Sequence, residues 1–153
     1  MLRNEGRRRN PQRGAALVEF ALVFPVLLLL CMGAADFGRL FFHAVTVVNA
    51  AGTAAVFGAR DNIDAGNFEG MQQAAVEDAG DIQGVTAEGT QFCACPDGTA
   101  VDCKDILIIS CPGYGKPRAY VETDTQQVFE VLGPYPGIPR TTVIGRKVYM
   151  RVE

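Results

Sequence analysis

Residues 13–33 read RGAALVEFALVFPVLLLLCMG, and this stretch decides the fold of the 153-residue chain. From Ala15 to Ala35 the sequence contains one charged side chain, that of Glu19. A helix needs about 20 predominantly apolar residues to span the hydrocarbon core of a bilayer. The sequence therefore predicts a transmembrane helix over residues 15–35.

The charge that precedes this segment predicts its orientation. The first 13 residues contain five arginines and one glutamate, whereas the rest of the chain is acidic in balance and brings the net charge to −3. Basic residues beside an apolar segment mark its cytoplasmic side. We therefore expect residues 1–14 to be a basic leader in the cytoplasm. We expect a single-pass anchor in the cell inner membrane and a periplasmic or extracellular C-terminal part. Because the basic character ends at the helix, no nucleic-acid partner is expected.

Two other interpretations of the apolar segment fit the sequence less well. A secretory signal peptide has an apolar core of about 7–15 residues. The present segment is longer and carries an internal acid, so cleavage after Ala35 is the less favoured interpretation. A lipoprotein signal requires a small residue before its cysteine, but Leu30 precedes Cys31. A retained membrane helix fits the sequence best.

Apolar residues continue beyond the membrane segment at alternating steps of four and three. They are Phe37, Phe41, Ala44, Val48, Ala51 and Ala55. This spacing places them on one face of a helix. It predicts an amphipathic extension over residues 36–59, in which Phe37, Phe41 and Val48 pack against other helices. Pro25 is expected to kink the membrane part, because proline removes a backbone donor.

The remaining residues, 60–153, predict an extracytoplasmic α+β domain. A helical period predicts one short helix over residues 68–79, and residues 132–140 form a proline-rich loop. Strands are predicted at residues 90–95, 105–110, 119–131 and 142–152. The expected fold class is therefore α+β. A long membrane-spanning helix extends into an amphipathic helix, and a small antiparallel sheet with one short helix follows.

Five cysteines occur, one of them, Cys31, in the membrane segment; the other four are Cys93, Cys95, Cys103 and Cys111. In a small exported domain these four predict two disulfides. Three pairings are possible, and a nested hairpin would favour Cys95–Cys103 with Cys93–Cys111. A zinc site is the alternative. Structural zinc sites usually use C-x2-4-C pairs, whereas one, seven and seven residues intervene here, so no metal is expected.

The sequence predicts neither an enzyme nor a cofactor. Its one histidine, His43, would have to serve in any Ser-His-Asp relay, and no other feature points to such a site. We interpret His43 as a polar residue close to the membrane surface. The function is therefore expected to lie in membrane anchoring and in protein partners.

Glu19 needs a partner, because an ionisable residue in a membrane segment is costly and usually paired. Cleavage after Gly14 would give Ala15 a positive α-ammonium group. Since positions four apart share a helix face, this group of one subunit could pair with Glu19 of its neighbour. The alternative is an uncleaved single-pass protein whose outer domain binds a ligand or a partner and whose Glu19 reaches the cytoplasmic head groups. On physical grounds the two are equally supported.

The stretch RGAALVEFALVFPVLLLLCMGAADFGRLF resembles the N-terminal signature of the TadE-like family. These are minor pilin-like proteins of the tight-adherence (Tad) branch of type IV pili. The resemblance covers about residues 13–59. It rests on the glycine, on Val18-Glu19-Phe20, on Pro25 and on Asp36-Phe37-Gly38-Arg39 in register.

The resemblance implies cleavage between Gly14 and Ala15 by a prepilin peptidase, and an assembly role for Glu19 and Phe20. It implies partners among other pilin and pseudopilin subunits and the inner-membrane secretion platform. The major pilins of this system are very short and have a tyrosine after the acid. Here Phe20 follows the acid and a domain of about 90 residues is added. The resemblance therefore implies a minor or tip component of an adhesive pilus.

Overall fold

The computed structural model describes residues 12–153 and divides the chain into two compact units. The first unit ends at Gly38, and the second comprises Arg39–Glu153. Most of the predicted leader, residues 1–14, lies outside the described residues. Helix α1, Gln12–Gly58, supplies the described part of the first unit and continues into the second.

Helix α1 is uninterrupted, as predicted, and Pro25 lies inside it. Every side chain from Gly14 to Leu30 is exposed. By length and composition, the segment Gly14–Gly58 is a candidate membrane-spanning helix. An apolar surface exposed on all sides of a helix is the surface that a lipid environment would cover.

The second unit adds a small sheet and short helical elements to the end of α1. Its elements after α1 are a 3-10 turn at Asp64–Gly66, α2 at Phe68–Asp78, β1 at Val85–Ala94, β2 at Ala100–Val101, a 3-10 turn at Cys103–Asp105, β3 at Arg118–Glu130 and β4 at Thr141–Arg151. The strands pair antiparallel in the order β2-β1-β3-β4. The α+β fold class is confirmed.

Strand β3 forms the centre of the core, as its alternation predicted. Its inward-facing residues are Ala119, Val121, Thr123, Thr125, Gln127 and Phe129, and all six are buried. Strand β1 begins five residues before the predicted start, at Val85. Its inward positions Ala87 and Gly89 are small, so the apolar alternation is weak there. Met71 of α2 occupies the space: a Cβ on Gly89 would lie 3.0 Å from Met71 Cε.

The face of α1 that packs on the sheet differs from the predicted apolar stripe. Val47, Ala50 and Ala54 are fully buried or nearly so. The predicted stripe is buried at Ala51 and Ala55 but exposed at Val48. The reason is that helix α1 and strand β3 approach each other closely. Hydroxyl groups of β3 reach carbonyl oxygens of the helix, which requires small side chains between the two elements.

The predicted strand at residues 105–110 is wrong. After the 3-10 turn, the backbone N–H groups of Ile108 and Ile109 both donate to the Asp105 carbonyl oxygen at 2.9 Å, so the chain turns. Ile106 packs against the core, while Leu107 is exposed. A run of aliphatic residues resembled a strand, but between the disulfide-bonded Cys103 and Cys111 the backbone forms turns instead.

The favoured nested disulfide pairing is also wrong. Cys93 bonds Cys103 and Cys95 bonds Cys111, with Cα atoms 5.1 and 5.8 Å apart. The hairpin register explains this, because Cys93 faces Val101. β2 ends at Val101, and Cys103 follows two residues later in the 3-10 turn, where it reaches Cys93. A disulfide spans at most about 7 Å between Cα atoms.

Candidate functional site

The predicted cleavage position lies on an unobstructed part of α1. Gly14 is exposed, and a Cβ placed on it would meet no heavy atom within 4 Å. Ala15 is exposed beside it. Apart from helix α1 itself, no described part of the chain packs against Gly14.

Glu19 lies one helical turn after Ala15, so both residues share a face of α1. Its side chain is exposed and forms no ion pair with any residue from 14 to 153. Phe20 is 59% exposed, and its ring packs on Phe24 with the centroids 5.2 Å apart. The structure thus presents a carboxylate and an aromatic pair on an otherwise aliphatic surface.

The three residues predicted to pack against other helices are exposed on α1. Phe37 is 71% exposed, Phe41 65% and Val48 44%. Isolated exposed apolar side chains are common, but a row of them along one helix face is typical of an interaction surface. These residues are therefore available for contact with another molecule.

His43, which the sequence suggested was a membrane-surface residue, anchors α1 to the sheet. Its Nδ1 lies 2.8 Å from Gln127 Oε1. Since an amide oxygen only accepts, Nδ1–H is the donor. The Gln127 amide donates in turn to the Gln83 carbonyl oxygen at 3.1 Å, and the His43 ring meets Phe129 edge to face. The sequence feature that could have indicated this role is the position of a polar residue beside the buried face of the helix.

A groove of about 760 Å³ lies between α1 and α2, and sequence reasoning missed it. Its apolar lining includes Phe42, Val45 and Val56 of α1, and its rim carries Asp78 and Asp81. The sequence signal was a second apolar row on α1 beside the predicted stripe, whose Val48 also lines the groove. We call this feature the α1–α2 groove.

The outer face of the sheet carries charge pairs that act structurally. Lys147 Nζ lies 2.9 Å from Glu122 Oε1 and 3.5 Å from Asp124 Oδ2. The hydrogen bond to Glu122 and the two negative charges raise the pKa of Lys147. Within residues 14–153, no cluster of three or more histidine, cysteine or acidic side chains has the geometry to hold a metal ion.

Comparisons with known proteins bear on α1. The family model described as "TadE-like protein" matches residues 14–56. No curated protein and no solved structure matched the chain. The match and the candidate membrane helix together support a membrane protein associated with the Tad pilus system. The resemblance that the sequence indicated is confirmed, and residues 14–56 are the TadE-like segment of this chain.

Proposed function

We propose that this chain is a minor pilin-like subunit that takes part in assembling a Tad-type adhesive pilus. It is anchored in the inner membrane with its N-terminus in the cytoplasm and its outer domain in the periplasm or beyond. A prepilin peptidase removes the basic leader between Gly14 and Ala15. The role is structural, and we assign no catalytic residue to it.

The observation that carries the proposal is the arrangement of Gly14, Ala15 and Glu19 at the start of α1. Among the described residues none outside α1 packs against Gly14, and glycine has no side chain of its own to obstruct a peptidase at this position. The residue after it becomes the new N-terminus, and the acid lies one turn further on the same face. The matched family segment begins at this glycine.

The chemistry of assembly follows from the cost of a charge in lipid. An ionisable side chain costs roughly 3 kcal/mol at the centre of a membrane helix on insertion scales, and less near the end of the segment, where Glu19 lies. Cleavage creates a cation at Ala15 within the same apolar layer. When subunits associate, the Ala15 ammonium of one subunit and the Glu19 carboxylate of another each lower the free-energy cost of placing the other charge in lipid. Uncleaved chains lack this cation, so cleavage favours association.

The rest of α1 is suited to the same role. The exposed row of Phe37, Phe41 and Val48 offers apolar area to neighbouring helices, at roughly 25 cal/mol for each Å² buried. Phe20 in place of tyrosine, together with the disulfide-bonded outer domain, favours a minor or tip subunit over a shaft subunit.

Processing of glycine variants tests the proposal. Gly14→Leu should leave the precursor in the membrane, because a branched side chain then occupies the cleavage position. Gly33→Leu is the matched control, since Gly33 also lies in α1 with no heavy atom within 4 Å of a placed Cβ. Immunoblots of membranes would show unprocessed chain for the first variant only. Normal processing of Gly14→Leu would reject the site.

A further inference from the structure

The hairpin between β3 and β4 exposes apolar side chains that the proposed function leaves unused. Its loop comprises residues 131–140. Four apolar side chains in and beside the loop are each between 56% and 63% exposed: Val128, Leu132, Ile138 and Val143. The two valines face each other across the paired strands. Exposed apolar side chains therefore gather at one end of the sheet. We call residues 128–143 the hairpin tip.

The loop backbone is suited to a poorly hydrated surface. Residues 131–139 contain no charged side chain, and three of them are prolines, which lack a backbone N–H donor. The Val131 N–H donates to the Arg140 carbonyl oxygen at 3.0 Å. The Ile138 N–H donates to the Tyr135 carbonyl oxygen at 3.2 Å. Because an unpaired polar group is costly in an apolar medium, a loop with fewer free donors enters such a medium at a lower cost.

Contacts between β3 and α1 give the direction in which the hairpin tip lies. Each step of two residues forward along β3 moves four residues back along α1. The hydrogen-bonded pairs are Thr123 with Ala51, Thr125 with Val47, and Gln127 with His43. Two strand residues advance about 6.6 Å and four helix residues about 6 Å, so the two elements stay in step. Strand β3 therefore runs antiparallel to this part of α1.

Phe129 continues this series at the first residue of the second unit. The Arg39 guanidinium lies over the Phe129 ring, 5.3 Å from its centroid. The membrane segment predicted from the sequence ends at Ala35, four residues before Arg39. Four residues span at most about 14 Å, even in an extended chain. The hairpin tip follows Phe129 in the same direction, so it lies at the end of the second unit that chain connectivity holds close to the bilayer surface.

Exposure alone does not select the hairpin tip, because another aliphatic turn is more exposed. Leu107 is 79% exposed and Ile108 82%. This turn follows Cys103, which is bonded to Cys93, and Cys93 pairs with Ala119 near the start of β3. The loop after β3 begins twelve residues beyond Ala119, about 40 Å at roughly 3.3 Å per residue. The more exposed turn therefore lies at the opposite end of the sheet from the hairpin tip and provides a matched control.

We propose that the hairpin tip lies in the interfacial layer of the phospholipid bilayer, with Leu132 and Ile138 in contact with acyl chains. Glu130 and Arg140, which flank the loop, carry opposite charges, so the contact is apolar and does not select anionic lipid. The outer domain then meets the bilayer at two places, α1 and the hairpin tip, which limits its tilting. The proposal rests on the membrane anchor of the proposed function, and it depends on neither leader cleavage nor Glu19.

Tryptophan fluorescence of the full chain in phosphatidylcholine vesicles tests this contact. The chain contains no tryptophan, so an introduced one reports only its own surroundings. Ile138→Trp should emit at a shorter wavelength than Ile108→Trp. It should also lose fluorescence when the lipids carry bromine atoms on the upper part of their acyl chains. Ile108→Trp should keep its fluorescence in the same vesicles. Equal quenching of the two variants would overturn the proposal.

Leu27→Trp separates failure of this inference from failure of the anchor. Leu27 lies in the predicted membrane segment, so this variant should be strongly quenched in an anchored chain. If Leu27→Trp is quenched and Ile138→Trp is not, the contact of the hairpin tip alone is wrong. If neither is quenched, the anchor is wrong and the contact fails with it. A short emission wavelength of Ile138→Trp without quenching would show that protein covers the tip, which also overturns the proposal.

A charge introduced into the hairpin tip provides an independent readout. In the Ile138→Trp background, Leu132→Asp should reduce quenching by brominated lipid, because a carboxylate resists entry into the acyl layer. Leu107→Asp in the same background is the control and should leave the quenching unchanged. Mass spectrometry without reduction verifies that each variant retains both disulfides. Quenching of the Leu132→Asp variant as complete as in its parent would show that Leu132 does not contact lipid.

Discussion

Thr123 donates a hydrogen bond from its Oγ1 to the carbonyl oxygen of Ala51 at 2.8 Å, and this bond joins β3 to α1. Thr125 makes the equivalent bond to Val47 at 3.0 Å. Both hydroxyls are buried, so each would carry a desolvation cost without its acceptor. The alanines of α1 make the approach possible, and the outer domain is thereby built directly on the end of the helix.

Replacing Thr123 with valine removes this bond and keeps the side-chain shape. We expect Thr123→Val to lower the free energy of unfolding of the outer domain by about 1 kcal/mol, the usual net worth of a hydrogen bond. Thr142→Val on the exposed part of β4 is the control and should change little. Urea unfolding of the detergent-solubilised chain measures both. Equal midpoints for the two variants would show that the helix contact is not stabilising.

The crossed disulfide pairing predicts which paired cysteine substitutions leave free thiols. Cys93→Ala with Cys103→Ala should leave the Cys95–Cys111 bond intact, and the domain should lose roughly 2–4 kcal/mol. Cys93→Ala with Cys111→Ala removes one partner from each bond and should expose two additional thiols. Thiol titration after denaturation counts these thiols in addition to the one free thiol of Cys31. No additional thiols in the second variant would count against the crossed pairing, and peptide mapping of the unaltered chain would then decide between the two pairings.

Asp97 makes the hairpin between β1 and β2 sensitive to acid. Its carboxylate accepts a hydrogen bond from the Thr99 backbone N–H at 2.9 Å, which lowers the pKa of Asp97 below its ordinary value. Because the pKa of Asp97 is lower in the folded chain than in the unfolded chain, its carboxylate contributes fully to the free energy of unfolding at pH values above its ordinary pKa. The contribution is lost as the pH falls through the folded pKa. Asp97→Asn keeps an acceptor but cannot titrate, so its unfolding midpoint should fall less between about pH 5 and pH 2. Parallel curves for both proteins would refute this.

Glu19→Ala separates cleavage from assembly. The leader should still be removed, because Gly14 and Ala15 are unchanged, but co-purification of other pilin subunits should fall. The reason is that the Ala15 ammonium of a neighbour loses its carboxylate. Glu19→Asp, which keeps the charge, should retain more of the association. Undiminished pull-down of pilins by Glu19→Ala would contradict the pairing.

Sequence periodicity correctly predicted the helix and the strand whose side chains face one clearly defined environment. Helix α1 is apolar on all sides where lipid would surround it, and β3 alternates because one face is buried. The turn after Cys103 was mispredicted, since residue preference alone favours a strand there. The disulfide pairing depends on hairpin register, which a cysteine count does not contain.

Some residues of the candidate site could likewise be predicted from the sequence, and others could not. Gly14 and Glu19 were identified from the sequence, because a lone acid in an apolar run is conspicuous. The docking role of His43 and the α1–α2 groove were not identified, because both depend on which side of α1 the sheet occupies. The sheet selected the alanine-rich face, where threonine hydroxyls reach the helix backbone.

The central claim is that a positive chain end at Ala15 meets Glu19 of a neighbouring subunit. Mass spectrometry of the N-terminus of the native protein, from cells with and without the candidate prepilin peptidase, tests it most directly. The account predicts a mature chain that starts at Ala15 when the peptidase is present and a chain with its arginine-rich leader when it is absent. A leader retained in cells that contain the peptidase would contradict the claim.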